Sequence, residues 1–86
     1  MKIRFHRNFE KQYKKLRERA QLRARERLVL FLQDEFSPIL NNHPLRGKYK
    51  GYRSINITGD LRAIYKYRDL DLRIFVAIDT HNNLYK

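Results

Sequence analysis

Apolar residues recur along this chain with two periods, and the changes of period mark out its elements. Ile3 and Phe5 alternate with polar neighbours and fall on one side of a short strand from Lys2 to Phe5. From Phe9 the period lengthens. Phe9, Tyr13, Leu16 and Ala20 return at the spacing of one helix face, leaving Lys11, Lys14, Lys15, Arg17 and Arg19 to water or phosphate. Asn8 offers a cap for this helix, and Glu10 sits in its positive first turn. The stripe loses phase over residues 17–21, which predicts either a turn between two helices or a bend in one long helix. The continuation carries Leu22 and the run Leu28 to Leu32 as far as about Phe36. Ser37-Pro38 ends the helical region, because proline restricts the residue before it and cannot continue the hydrogen-bond ladder.

Beyond a loop at Asn41 and Asn42 the period falls back to two. Tyr52 to Ile57, Leu61 to Tyr67 and Leu72 to Ile78 read as strands rich in β-branched and aromatic residues. Thr58-Gly59-Asp60 and Arg68-Asp69-Leu70-Asp71 supply the turns, and connections this short make antiparallel neighbours. The pattern therefore predicts an α+β fold of order β-α-α-β-β-β, one small domain over residues 1–86. Its antiparallel sheet has about four strands with two N-terminal helices on one face, and the first strand joins an edge or lies across the sheet. Alternation sends Ile55 and Ile57 toward the helices. Tyr52, Ser54, Asn56, Arg62 and Lys66 go to a second face expected to be open, and Leu72, Ile74, Val76 and Ile78 share an apolar side of the last strand.

With 86 residues, 42% hydrophobic and 34% charged, the chain is globular in composition and has room for one modest core. No apolar run exceeds five residues, against about 20 for a bilayer span, and the first residues hold no apolar leader. A cytoplasmic location with no membrane partner is expected. The absence of cysteine removes disulfides, thiolate metal sites and cysteine nucleophiles. His6, His43 and His81 have no zinc-ligand spacing, so neither a metal nor a small-molecule cofactor is expected, and His6 reads as structural.

Charge adds a partner class. The net charge is +11, and it is concentrated. Residues 1–27 hold eleven Lys and Arg against Glu10, Glu18 and Glu26, a net of +8, and the segment His43 to Arg53 adds Arg46, Lys48, Lys50 and Arg53 without an acid. Two dense basic regions on so small a chain are the footprint of a polyanion binder, since Lys and Arg replace condensed counterions. The ordinary alternatives are a solvated helix face or a surface awaiting an acidic protein.

The candidate chemistry lies in the second half. His43, Asp60, Arg62, His81 and Tyr85 stand at or near strand ends. Metal-free RNA cleavage needs a base for the 2′-hydroxyl, a cation for the charge growing on the phosphorane and an acid for the leaving 5′-oxygen. Histidines suit proton transfer and arginine suits two-pronged phosphate binding. His81 is expected as general acid and Arg62 as transition-state stabiliser, with His43 as a further acid-base group. Asp60 orients a histidine or acts as base, and Tyr85 stacks on a base or donates a proton. Arg46, Lys48, Lys50, Arg53 and Lys66 are expected to bind RNA phosphates. Each residue also has an ordinary reading, Asp60 as a turn residue and Tyr85 as a pin for the C-terminus.

The stretch His43 to Lys66 (HPLRGKYKGYRSINITGDLRAIYK), with the ending Asp79-Thr80-His81-Asn82-Asn83-Leu84-Tyr85, resembles the RelE/ParE toxin superfamily and most its YafQ-type branch, with coverage of essentially the whole chain. The resemblance implies a toxin of a toxin-antitoxin module that cleaves mRNA on the ribosome, with a cognate antitoxin, the ribosome and mRNA as partners. By position His43 matches the histidine of the HPL motif, Asp60 the aspartate of the turn, His81 the histidine after the last strand and Tyr85 the C-terminal aromatic. Arg62 matches the arginine of a Gly-x-x-Arg segment in the RelE-like branch. Ser54 and Asn56 depart from the YafQ pattern, which has an aspartate and a histidine there. Two alternatives stay open: a ParE-like inhibitor of DNA gyrase, and a noncatalytic or degenerate RNA-binding homologue.

Overall fold

The lost phase in the helical stripe is a turn. In the computed structural model, which describes residues 1–85, α1 spans Arg7–Lys14 and α2 spans Glu18–Gln33. The cap of α1 is His6 rather than Asn8: its Nδ1 accepts the Asn8 backbone N–H at 3.0 Å. Asn8 instead turns its amide on the sheet and donates to the Val76 carbonyl at 3.0 Å. Helix α2 stops at Gln33, short of Phe36, where Asp34 turns extended and its Oδ1 accepts the Phe36 N–H at 3.2 Å.

The strands are β1 (Lys2–Phe5), β2 (His43–Pro44), β3 (Arg53–Asn56), β4 (Leu61–Tyr67) and β5 (Leu72–Thr80), in sheet order β1-β5-β4-β3-β2. The α+β class and the two helices on one face are as expected, but the sheet has five strands and is mixed. β1 pairs in parallel with β5, Lys2 opposite Leu72 and Phe5 opposite Phe75. Both helices and three strands lie between β1 and β5 in the chain, so no short turn imposes antiparallel order on this pair. The fifth strand is His43–Pro44 on the far edge, antiparallel to β3.

The main core lies between helices and sheet. Phe9, Ala24, Leu28 and Phe31 meet Ile55, Ala63, Tyr65, Phe75 and Ile78, with Phe31 edge-on to Tyr65 and Phe75 at 4.9 and 5.1 Å. On the last strand the expected apolar side is broken by a bulge. Ile64 pairs with Ala77 and Tyr65 with Phe75, so Val76 is the extra residue, and Phe75 and Ile78 both reach the main core.

The second face is not open at its centre. Ile64, Ala77 and Leu84 are buried there under Leu45, Tyr49, Tyr52 and Tyr85. The cover comes from the segment between β2 and β3, which folds back through a 3-10 turn at Gly47–Tyr49, and from a short helix α3 (His81–Leu84). Gly47 and Gly51 take φ of 65° and 91° at this fold-back, a region that favours glycine. No helix among the described residues is long and apolar enough to cross a membrane.

Candidate active site

Strand register assembles the site. His43, Ser54, Ile64 and Ala77 are opposite one another in successive strands, as are Asn56, Arg62 and Asp79 in the next row, and directly opposed residues share a face. That face is the one turned away from the helices. α3 then carries His81 and Tyr85 over it, its start fixed by Thr80, whose Oγ1 accepts the Asn83 N–H at 3.2 Å. The His81 backbone N–H donates to the Asp60 carbonyl at 2.9 Å, tying the β3–β4 turn to the end of β5. The result is a pocket of about 410 Å³ whose walls include Asn41, His43, Arg46, Arg62, His81 and Tyr85.

His43 Nδ1 lies 2.8 Å from the Asn41 carbonyl oxygen. A carbonyl only accepts, so Nδ1 carries the proton and Nε2 of the neutral ring keeps its lone pair. Asn41 holds that carbonyl in place from a left-handed conformation, φ 46°, which asparagine tolerates better than most residues. Arg62 is fastened to its own turn: Nη1 donates to the carbonyls of Thr58 (2.9 Å) and Leu61 (3.2 Å), and Nη2 to that of Gly59 (3.1 Å). Asp79, opposite it in register, uses Oδ1 for the Thr80 N–H (2.7 Å) and the Asn83 amide (3.1 Å). The ion pairs among the described residues are Met1 with Asp71, Arg23 with Glu26 and Arg73 with Glu35, so Arg62 has no carboxylate partner there. The His81 ring packs on Tyr85 with 4.8 Å between centroids.

Of the expected site residues, the pocket gathers His43, Arg46, Arg62, His81 and Tyr85. Asp60 reaches it through its backbone; its exposed side chain is not among the walls. Lys48 and Lys66 line a neighbouring cleft, and Lys50 is exposed and lines neither. Arg53 points elsewhere. It shares a row with Tyr65 and Phe75 on the helix side, donates from Nε to Asn42 Oδ1 at 2.7 Å and lies 5.3 Å over the Phe36 ring. Ser54 is fully buried, and Ser54 Oγ, Asn56 Oδ1 and Tyr85 OH are buried atoms without a hydrogen-bond partner.

Two features escape the sequence. Asn41 acts through its backbone, which side-chain chemistry does not announce; the Asn41-Asn42 pair, tolerant of left-handed backbone, was the available signal. The second is a polar cluster on the helix side: Glu35 accepts from Tyr65 OH at 2.6 Å, Tyr67 OH at 2.8 Å and Arg73 Nη2 at 3.2 Å. Burial favours the neutral acid, but hydrogen bonds from Tyr65, Arg73 and Tyr67, with the Arg73 charge, outweigh it and hold the Glu35 carboxyl below its ordinary range. Burial, and then donation to Glu35, pushes the Tyr65 phenol well up. Among the described residues no three His, Asp or Glu side chains are placed to share a metal ion.

A family model described as the bacterial toxin of type II toxin-antitoxin system, YafQ, matches residues 1–86. Among solved structures the chain is similar to YafQ from E. coli strain BL21(DE3), with 25% identity, 98% of this chain and 97% of that chain covered and a TM-score of 0.82. It is similar to a chain of the E. coli DinJ-YafQ toxin-antitoxin complex, with 27% identity, coverage of 98% and 96% and a TM-score of 0.75. In fold it also resembles a chain of the toxin-antitoxin complex RelBE2 from Mycobacterium tuberculosis, with 23% identity, coverage of 93% and 96% and a TM-score of 0.65. No curated protein matches.

Proposed function

The chain belongs to the YafQ family of bacterial toxins of type II toxin-antitoxin systems, and from that premise we propose that it is an endoribonuclease that cuts ribosome-bound mRNA without a metal, residues 1–86 acting as one toxin domain. The observation that carries the reading is the pocket in which two histidines flank an arginine that has no carboxylate partner among the described residues. His43 Nε2, with its lone pair free, takes the proton of the 2′-hydroxyl, whose oxygen attacks the adjacent phosphorus. Arg62, already braced on three carbonyls, binds the non-bridging oxygens as charge grows on them. His81 gives its proton to the 5′-oxygen as the P–O bond breaks, leaving a 2′,3′-cyclic phosphate and a 5′-hydroxyl. Asp60 holds His81 through its carbonyl, Tyr85 stacks on a base, and Arg46 at the pocket wall takes a flanking phosphate.

Action on the ribosome places the protein in the cytoplasm and blocks translation. Its partner is a cognate antitoxin whose acidic, partly disordered segment folds on the basic surface. A second reading, a noncatalytic RNA-binding homologue, is favoured by Ser54 and Asn56, which bring no titratable group to the site face. Primer extension on mRNA from reconstituted translation, with and without ribosomes, separates the two. We expect ribosome-dependent cuts that vanish in His81→Ala and Arg62→Ala; a native chain that binds mRNA and leaves it whole favours the second reading.

A further inference from the structure

The two lysines of the site face do not share the pocket of His43 and Arg62. They line a second cleft of about 340 Å³ on that face, whose walls also include His6, Asn8, Tyr49 and Tyr52. A chain of rings divides the two hollows: His81 packs on Tyr85 at 4.8 Å, Tyr85 meets Tyr49 edge-on at 6.2 Å, and Tyr49 meets Tyr52 edge-on at 6.0 Å. Lys66 Nζ lies 5.7 Å over the Tyr52 ring and Lys48 Nζ 5.3 Å over the Tyr49 ring. Neither lysine has a carboxylate partner among the described residues. His6 completes the wall. Because its Nδ1 accepts the Asn8 N–H at 3.0 Å, the ring's proton sits on Nε2, a donor. Asn8 Nδ2 fastens this corner to the carbonyl of Val76, the extra residue of the β5 bulge, at 3.0 Å.

Two ammonium groups, an imidazole donor and two phenol rings, with no carboxylate in the lining, suit a phosphate next to an unstacked base, since single strands are held by backbone charge and by stacking on aromatic rings. We infer that this cleft is a second nucleotide subsite, which takes the phosphate next along the strand from the one that is cut, between Lys66, Lys48 and His6, with its base on the Tyr49–Tyr52 wall. The inference rests on the mRNA-cleaving reading and extends it: the tyrosine ridge sets the step between the two subsites, and His6, which the sequence offers only as a structural residue, becomes a substrate contact.

The test is an NMR titration of the native chain, Lys66→Gln and His6→Asn with two uncleavable 2′-deoxy oligonucleotides, a dinucleotide and a pentanucleotide. His6→Asn keeps a capping acceptor for α1 while removing the ring donor, and thermal unfolding of each variant reads the fold. The dinucleotide should shift resonances around His43 and His81 only, with equal affinity for all three proteins. The pentanucleotide should also shift Tyr52, Lys66 and His6, bind about tenfold more weakly to Lys66→Gln, as loss of one good subsite contact entails, and show a salt slope flatter by about 0.7 for one phosphate lost. Equal losses on both lengths, or a pentanucleotide that leaves the His6 cleft unmoved, overturn the subsite alone. A native chain that binds neither oligonucleotide overturns the subsite, while the mRNA-cleaving reading stands or falls on the primer extension. A poly-glutamate peptide that shifts the cleft as strongly as the pentanucleotide reassigns it to an acidic protein segment.

Discussion

A neutral histidine can take a proton only at the ring nitrogen that carries none, and which nitrogen that is depends on its neighbour. At His43 the neighbour is the Asn41 carbonyl, 2.8 Å from Nδ1. In the cleavage proposed above, the base therefore depends on the backbone conformation of a residue two positions away, and Asn41 tests it. Valine tolerates a φ of 46° poorly, glycine freely. Asn41→Val should cut mRNA cleavage about tenfold or more with substrate affinity nearly kept, and Asn41→Gly should retain activity; equal rates for native and valine proteins would show that the carbonyl does not set the base. Direct loss is larger: His43→Ala or His81→Ala should each lower the cleavage rate by about 10²–10⁴, the usual contribution of a positioned acid or base, read in single turnover on programmed ribosomes. At this scale the sequence was most legible where a candidate side chain stands at a motif position, as with His43, Arg62 and His81, which the fold brings to one pocket. It was least legible where a residue works through its backbone, as Asn41 and Asp60 do. Arg53 shows a third case: its charge suggested phosphate, yet strict alternation with Ser54 turns it to the helix side, and face outranks charge.

Periodicity located α1, α2 and the three long strands because each is read locally. The partner of β1 was hidden, since four alternating residues carry no mark of whether their neighbour will be parallel. The bulge at Val76 was hidden for a related reason: β5 is apolar on both sides, so a one-residue slip leaves no polar residue out of place. The cluster around Glu35 joins elements far apart in sequence, the end of α2 with β4 and β5. Arg73 is buried there, and removing its carboxylate partner leaves a charge without compensation. Glu35→Gln should therefore destabilise by about 2–4 kcal/mol at pH 7, near the range for breaking a largely buried pair. Because the folded-state carboxyl lies below its ordinary value, its contribution is complete above the unfolded value and is lost as pH falls through the folded one. Urea unfolding at pH 7 and pH 3 checks the sign. The gap between native and variant should narrow in acid, and a gap that widens there would contradict the ion pair as its source.

Across the whole molecule, the basic excess and the candidate pocket are set apart. The pocket lies on the face of the sheet turned from α2, while most of the basic excess falls within residues 1–27, on the helices. Lys11, Lys14, Lys15 and Arg19 are exposed and none of their side chains reaches the pocket of His43, so in the cleavage proposed above their field acts on approach rather than on the bond being broken. A polyanion as large as a ribosome is steered by such a field from a distance of about one Debye length, 8–10 Å in ordinary salt. Replacing these four residues together with glutamine should then lower kcat/KM for cleavage of ribosome-bound mRNA by about tenfold at low salt, leave kcat within about twofold, and flatten the salt dependence. The same variant should bind a cognate antitoxin more slowly if an acidic segment of that partner reads the helical surface. A fall in kcat parallel to kcat/KM would place these cations in contact with the reacting strand, and the division of the molecule into a steering face and a cutting face would not hold.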